Sequence, residues 1–420
     1  MNSTSNTPQP PKPLVDNDVQ TRKFQQWQEL ADFLQRIWHK PDLEAIKILL
    51  TIYVSHFFIE DHPIWTFLLG ASSSGKSAIG IRALEHLPIT TTVTELTPAT
   101  FLSGYGEDNG LLNRLMKQQG GNGILVFSDM TPFLNERPEV KAKIIGIIRR
   151  LYDGSYEKDV GNRKSQMVWK GKLTCIAACT PALERHWMVH RELGERFLTL
   201  RWRCDTSMAG QREAMSCVRK HVGIEHHIQT EFKRLVGNFV EPEDPFGVDA
   251  SSVMADSKQI EDLAILITTL RTAVNRTAEG RKQVIVGAAT REFPTRVMKS
   301  LTNFLRASAG LWRKPQTDIQ DLRLVYRLAF DTIPHNRFLF IRTLMAYPSR
   351  TASTATINGP LEIPHSTYAR LLEDLRYLKI ITVQVNDNAT ITVTATPEFS
   401  ELWENATKNC LDMVYSDGID

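Results

Sequence analysis

Apolar residues recur at helical spacing across residues 23–56, first as Leu30, Phe33, Leu34 and Ile37, then as Leu43, Ile46, Leu49 and Leu50. The pattern then changes period. Trp65-Thr66-Phe67-Leu68-Leu69 is a continuous apolar run that stops at a glycine, as a strand covered on both faces should. Residues 77–86 read as the next helix. Ile124-Leu125-Val126-Phe127, behind the turn signal Gly120-Gly121-Asn122-Gly123, reads as a second buried strand. Residues 173–178 read as a third, ending at Cys179-Thr180-Pro181. Strands that alternate with helices predict a parallel α/β sheet, with ligands at the carboxyl ends of its strands.

After about Arg203 the strand signal fades. Residues 211–238, 258–278, 294–311 and 322–330 carry helical patterns, with Pro242-Glu243-Asp244-Pro245 interrupting them. Residues 336–347 open a last unit. There Leu371, Leu372, Leu375 and Leu378 mark a helix behind Ser366 or Thr367, and two alternating strands near 381–385 and 390–395 meet at Asn386-Asp387-Asn388. The expected organisation is a tail over 1–20, an α/β core over 21–205, a helical lid and linker over 206–330, an α+β unit over 331–400 and a second tail over 401–420.

Composition narrows the class. Of 420 residues 42% are hydrophobic, enough to build cores rather than a disordered chain. The formal net charge of +3 gives no strong global field, so any nucleic-acid surface has to come from local clustering. Five scattered cysteines without a second pair at metal spacing read as free thiols in a reducing compartment. No apolar stretch is long enough to span a bilayer, and residues 1–13 are polar, without the apolar core of a signal peptide. A cytoplasmic protein without membrane contact is expected.

The chemistry-bearing motif is Gly70-Ala71-Ser72-Ser73-Ser74-Gly75-Lys76-Ser77. It fits G-x-x-x-x-G-K-[ST] between a predicted strand and a predicted helix, the context the motif requires. Glycines let the backbone wrap phosphates, and N–H groups at the helix start point at the anion. Lys76 is expected to reach the β- and γ-phosphates of ATP, and Ser77 to hold Mg²⁺. Asp129, at the end of the second strand, is the expected second carboxylate on Mg²⁺. Met130 follows it, where many such ATPases carry a catalytic glutamate. Either another carboxylate positions the attacking water, with Glu136 and Asp153 as candidates, or turnover is slow.

The order of motifs carries a resemblance. The phosphate loop and Asp129 are followed by Leu151 to Gly161, by the strand ending Ala177-Ala178-Cys179-Thr180-Pro181, and by Leu193-Gly194-Glu195-Arg196-Phe197. Over roughly residues 40–310 the chain resembles the AAA+ ATPases that insert a β-hairpin before the sensor-1 strand, among them the minichromosome maintenance helicases, the enhancer-binding activators and ATPases of phages and mobile elements. The resemblance implies four roles. Thr180 stands at sensor 1, where Asn is usual. Arg196 matches an arginine finger that completes a neighbour's site, with Arg201 and Arg203 nearby to share the role. Arg296, in Phe293-Pro294-Thr295-Arg296, matches the sensor-2 arginine that contacts the nucleotide from the lid. The polar stretch between Tyr156 and Trp169, with Arg163 and Lys164 near its middle, suits a hairpin that grips DNA.

The last unit resembles a winged helix, in which His365, Thr367, Arg370 and Arg376 are the expected exposed residues and Glu373 and Asp374 dilute the charge. A docking role for such a unit stays open, as does a solvated face for the basic residues between Arg296 and Arg327. Together these features imply an ATP-driven, hexameric DNA motor such as a helicase or translocase. The alternative is an ATP-switched assembly factor, such as a helicase loader or transposition regulator. A transcription activator would need a Gly-Ala-Phe-Thr-Gly-Ala loop, and Ser103-Gly104-Tyr105-Gly106 is not one.

Overall fold

The computed structural model describes residues 17–58, 62–101, 110–158, 167–186, 193, 196–241, 257–279, 282–289, 291–387, 390–408 and 410. The predicted tail over 1–16, Ser103 to Gly106, and Arg163 and Lys164 lie outside them. Five strands, β1 (Trp65–Leu69), β2 (Thr90–Val93), β3 (Gly123–Phe127), β6 (Leu173–Cys179) and β7 (Phe197–Arg201), form one parallel sheet in the order β2-β3-β6-β1-β7. The α/β class read from the sequence is what the chain adopts.

Alternation along each strand divides the interior. Trp65, Phe67, Leu69, Leu125, Phe127, Cys175 and Ala177 face one core, and Leu68, Ile124, Val126, Ile176 and Leu200 face the other. The second core is the larger. It takes in the helices Asn17–Ile37 and Leu43–Phe58, the helices Glu225–Val240, Ser257–Arg271, Thr295–Leu311 and Ile319–Thr332, and the last unit. The expected boundaries near 205 and 330 therefore do not separate independent cores.

Two local devices anchor the sheet to its surroundings. The N–H groups of Thr199 and Arg201 on edge strand β7 donate to Thr332 Oγ1 and Asp331 Oδ2, each at 2.9 Å, so a helix end closes the open edge. At the start of β3, Gly121 has φ +88° and faces Gly171. A Cβ on Gly171 would stand 2.1 Å from the Gly121 carbonyl oxygen. That close approach brings in the hairpin β4 (Ser155–Lys158) and β5 (Met167–Lys170), whose Trp169 Nε1 donates to the Gly121 carbonyl at 3.0 Å.

A second small hairpin, β8 (Arg276–Glu279) and β9 (Lys282–Ile285), lies in the stretch expected to be helical only. The last unit runs helix His335–Ala346, β10 (Thr351–Ser353), helix Thr354–Leu361, helix His365–Tyr377, β11 (Ile381–Val385) and β12 (Ile391–Ala395), with the three strands in one antiparallel sheet. The expected tails are corrected at both inner ends. Helix Asn17–Ile37 begins inside 1–20, and helix Pro397–Thr407 buries Phe399 and Trp403 inside 401–420 and just before it. Apolar residues four apart in a short helix were too few to register as a pattern. Among the described residues no helix is long and apolar enough to cross a membrane.

Candidate nucleotide site

The loop Gly70 to Ser77 leaves the carboxyl end of β1, the strand between β6 and β7. Its conformation depends on residues that accept positive φ: Gly75 at +90°, and Ser73 at +62°. Ala71, Ser72, Ser73 and Ser77 are exposed, which leaves the loop open to a ligand. Gly75 leads into a wide helical turn, Lys76–Ile81, that tightens into Arg82–Glu85. Trp202, directly after β7, braces the loop: its Nε1 donates to the Ser74 carbonyl at 3.0 Å. Any Cβ on Gly70 would stand 2.9 Å from Trp202 Cβ, so the glycine is required there.

Lys76 is buried, and its Nζ donates to the Cys179 carbonyl at 2.9 Å. Burial pushes its ammonium below the ordinary lysine range, and the Asp129 carboxylate opposes this. Asp129 and Thr180 leave β3 and β6, so the loop, Thr180 and Asp129 stand in a row along one edge of three neighbouring strands. With strands about 4.8 Å apart, Asp129 lies roughly 10 Å across the sheet from β1. Thr131 ties the row together. Its N–H donates to Asp129 Oδ1 at 2.8 Å, and its Oγ1 accepts from the Thr180 N–H at 3.2 Å. Hard oxygens from Ser77 and Asp129 are the donor type that suits Mg²⁺.

The other predicted site residues divide. Met130 is buried in the core, and Glu136 is exposed just past the short helix Thr131–Leu134, its N–H donating to the Phe133 carbonyl at 3.2 Å. Asp153 lies elsewhere: its Oδ1 is 3.7 Å from Arg196 Nη2. Arg196 and Arg296 hold their guanidinium groups 5.7 and 5.6 Å from the centre of the Tyr152 ring. That ring packs edge-on against Trp65, the first residue of β1, whereas the loop follows the last. A five-residue strand rises about 13 Å over its four steps, so both arginines sit at the opposite end of the sheet from the chain's own loop. This corrects two readings. Arg296 is not placed to contact the nucleotide of its own chain, and Asp153 is not placed to position water there. The helix that Arg296 opens packs along Leu43–Phe58 toward the amino-terminal ends of the strands, a direction that sequence spacing does not reveal.

Arg201 and Arg203 are at the loop's end but are occupied. Arg201 Nη2 donates to Glu184 Oε1 at 2.5 Å, and Arg203 is 3.9 Å from Asp331. Beside them Arg327 and Asp42 form a buried two-pronged pair at 2.6 and 2.5 Å. The hairpin expected around Arg163 and Lys164 exists in its described arms, with Tyr156 opposite Trp169. In the last unit His365, Thr367, Arg370 and Arg376 are all exposed. Glu373 and Asp374 are ion-paired to Arg276 at 2.7 Å each, and Asp374 also pairs with Arg337 at 3.0 Å.

Sequence reasoning missed Trp202 and Thr131. The only signals were an aromatic residue just past a strand end and a hydroxyl two residues after Asp129. All five cysteines are free thiols. A scan against protein-family models found no match, and a search of curated proteins found none either.

Proposed function

We propose that the chain is a Mg²⁺-dependent ATPase of the AAA+ kind that acts on DNA as an oligomeric motor. The observation that carries this reading is the row formed by the glycine loop, Thr180 and Asp129 at one sheet edge, with Lys76 sunk beneath it. In this reading the loop N–H groups and Lys76 bind the β- and γ-phosphates, and Ser77 and Asp129 hold Mg²⁺, which would supply charge neutralisation. Thr180 orients water near the terminal phosphate.

Arg196 lies at the other end of the sheet, so it acts on a neighbour's nucleotide. Arg296, beside it, moves to the same role. Donor and acceptor faces at opposite ends imply a head-to-tail contact, which closes into a ring when the rotation per subunit permits. A hexamer is the expected ring. Engagement of DNA falls to the hairpin around Arg163 and Lys164 and to the last unit, read as a winged helix. There the pairing of Glu373 and Asp374 with inner arginines offsets their charge and supports a basic outer face.

One observation favours a second reading. Met130 is packed in the core where a catalytic glutamate would be needed, and slow hydrolysis suits a switch that assembles on DNA without unwinding it. A forked-duplex strand-displacement assay beside DNA-stimulated ATPase separates the two. Unwinding with stimulated hydrolysis is expected for the motor, and DNA-bound rings or filaments without unwinding for the switch. ATPase activity that survives both dilution to monomer and Arg196→Ala would sink the intersubunit site.

A further inference from the structure

At the sheet end away from the phosphate loop a cleft opens beside Arg296. Two adjoining cavities of about 340 and 590 Å³ share His62 and Arg296 in their walls, and the smaller adds Arg291, Phe293 and Lys299. That is the size range of small-ligand sites. The acids near it are already engaged, Glu292 with Arg271 at 2.5 Å and Asp153 with Arg196 at 3.7 Å. Lys299 stands one turn beyond Arg296 on the same side of the helix Thr295–Leu311, near its positively polarised end. It is exposed, and its Nζ lies 3.0 Å from His62 Nε2. Gathering several cations around one cavity raises their mutual repulsion, which a multiply charged anion relieves.

We infer that this cleft receives the terminal phosphates of the nucleotide held by a second copy of the chain, and that Lys299 is the cation that reaches them beside Arg196 and Arg296. The inference rests on the intersubunit reading above and adds Lys299 to it. Charge fixes the occupant. The cleft is cationic, and the exposed loop Gly70 to Ser77 is the part of this chain built to present phosphates outward. Loop and cleft lie at opposite ends of one sheet, so only another copy can bring the two together.

Lys299→Ala is expected to lower hydrolysis about 10-fold or more while leaving ATP affinity in the loop unchanged, and Lys299→Arg to keep most of the rate. Mixing supplies the decisive comparison. Lys76→Ala has a dead loop with an intact cleft, and Lys299→Ala has the reverse. In a 1:1 mixture about a quarter of head-to-tail contacts pair a live loop with a live cleft, so activity returns. Recovery with Lys76→Ala plus Arg196→Ala, but none with Lys76→Ala plus Lys299→Ala, overturns the role of Lys299 and leaves the intersubunit reading standing. Recovery with neither pair overturns both. Sedimentation velocity gives a readout independent of turnover. ATP is expected to drive wild-type assembly, and Lys299→Ala to require about 10-fold more protein or nucleotide for it. Wild-type behaviour of Lys299→Ala in both assays overturns the inference.

Discussion

Lys76 rests on the Cys179 carbonyl, so under the proposed function an arriving triphosphate has to draw the ammonium off a hydrogen bond before it can use the charge. Lys76→Ala should weaken ATP binding at least about 100-fold by calorimetry and cost only about 1–2 kcal/mol of stability, because the lost contact is one buried hydrogen bond to a carbonyl. Met130 makes the opposite case. It is 1% exposed, so Met130→Glu would not restore a catalytic base. It should cost about 3 kcal/mol of stability in urea titrations and leave kcat no higher than wild type, because the carboxylate would be buried without a partner. At this scale the sequence was informative wherever backbone chemistry dictated a residue type. Gly70, Gly75, Lys76 and Ser77 could be read directly. Trp202 could not, because what makes it matter is the return of β7 alongside β1, a contact more than a hundred residues apart in the chain.

Elements are joined here by buried polar groups as much as by apolar area. Asp42 begins the helix Leu43–Phe58, accepting from the Ala45 N–H at 3.1 Å, and grips Arg327 on the helix Ile319–Thr332. Burial works against the Asp42 carboxylate, but Arg327 and the Arg203 N–H outweigh it and hold the group below the usual carboxylate range. Asp42→Ala should cost about 3–5 kcal/mol, and adding Arg327→Met should recover part of that, since the second change removes a buried charge left with only Glu44 at 3.0 Å and Asp331 at 3.7 Å. His56, later on the same helix, is 3.0 Å from Thr174 Oγ1 on β6. Burial, with the Lys172 charge assisting, lowers it from 6.5 to about 3. Above 6.5 the imidazole is neutral folded or unfolded. As the pH falls from 6.5 toward 3 only the unfolded chain takes the proton, so stability is lost across that window. The gap in melting temperature between pH 7 and about pH 4 should therefore be smaller in His56→Gln than in wild type. The central strands β1, β3 and β6 were legible because both faces are apolar. The edge strand β2, with its Thr90-Thr91-Thr92 run, and the hairpin β8–β9 were not, since a strand covered on one side or neither carries no continuous apolar signal.

Across the described residues the larger of the two apolar cores runs from Trp27 to Cys410 and joins the segments on both sides of the expected boundaries. The expected boundaries near 205 and 330 follow changes of pattern along the chain, but side-chain packing of the helices decides the matter and periodicity does not report it. Deleting residues 397–420 should therefore lower stability by more than about 3 kcal/mol and broaden the melting transition, because Phe399 and Trp403 leave the helix Ser257–Arg271 uncovered. That last helix also bears on how the protein is made. Its partner Ser257–Arg271 ends in Arg271, which donates to the Phe197 carbonyl at the start of β7, so the helix Pro397–Thr407 backs an element that is tied to the last strand of the sheet. On the ribosome the strands of the parallel sheet emerge well before the helix that backs them. The nascent chain must then hold an uncovered apolar face until the helix Pro397–Thr407 is made, which makes the docking of that helix the step that commits the core to close.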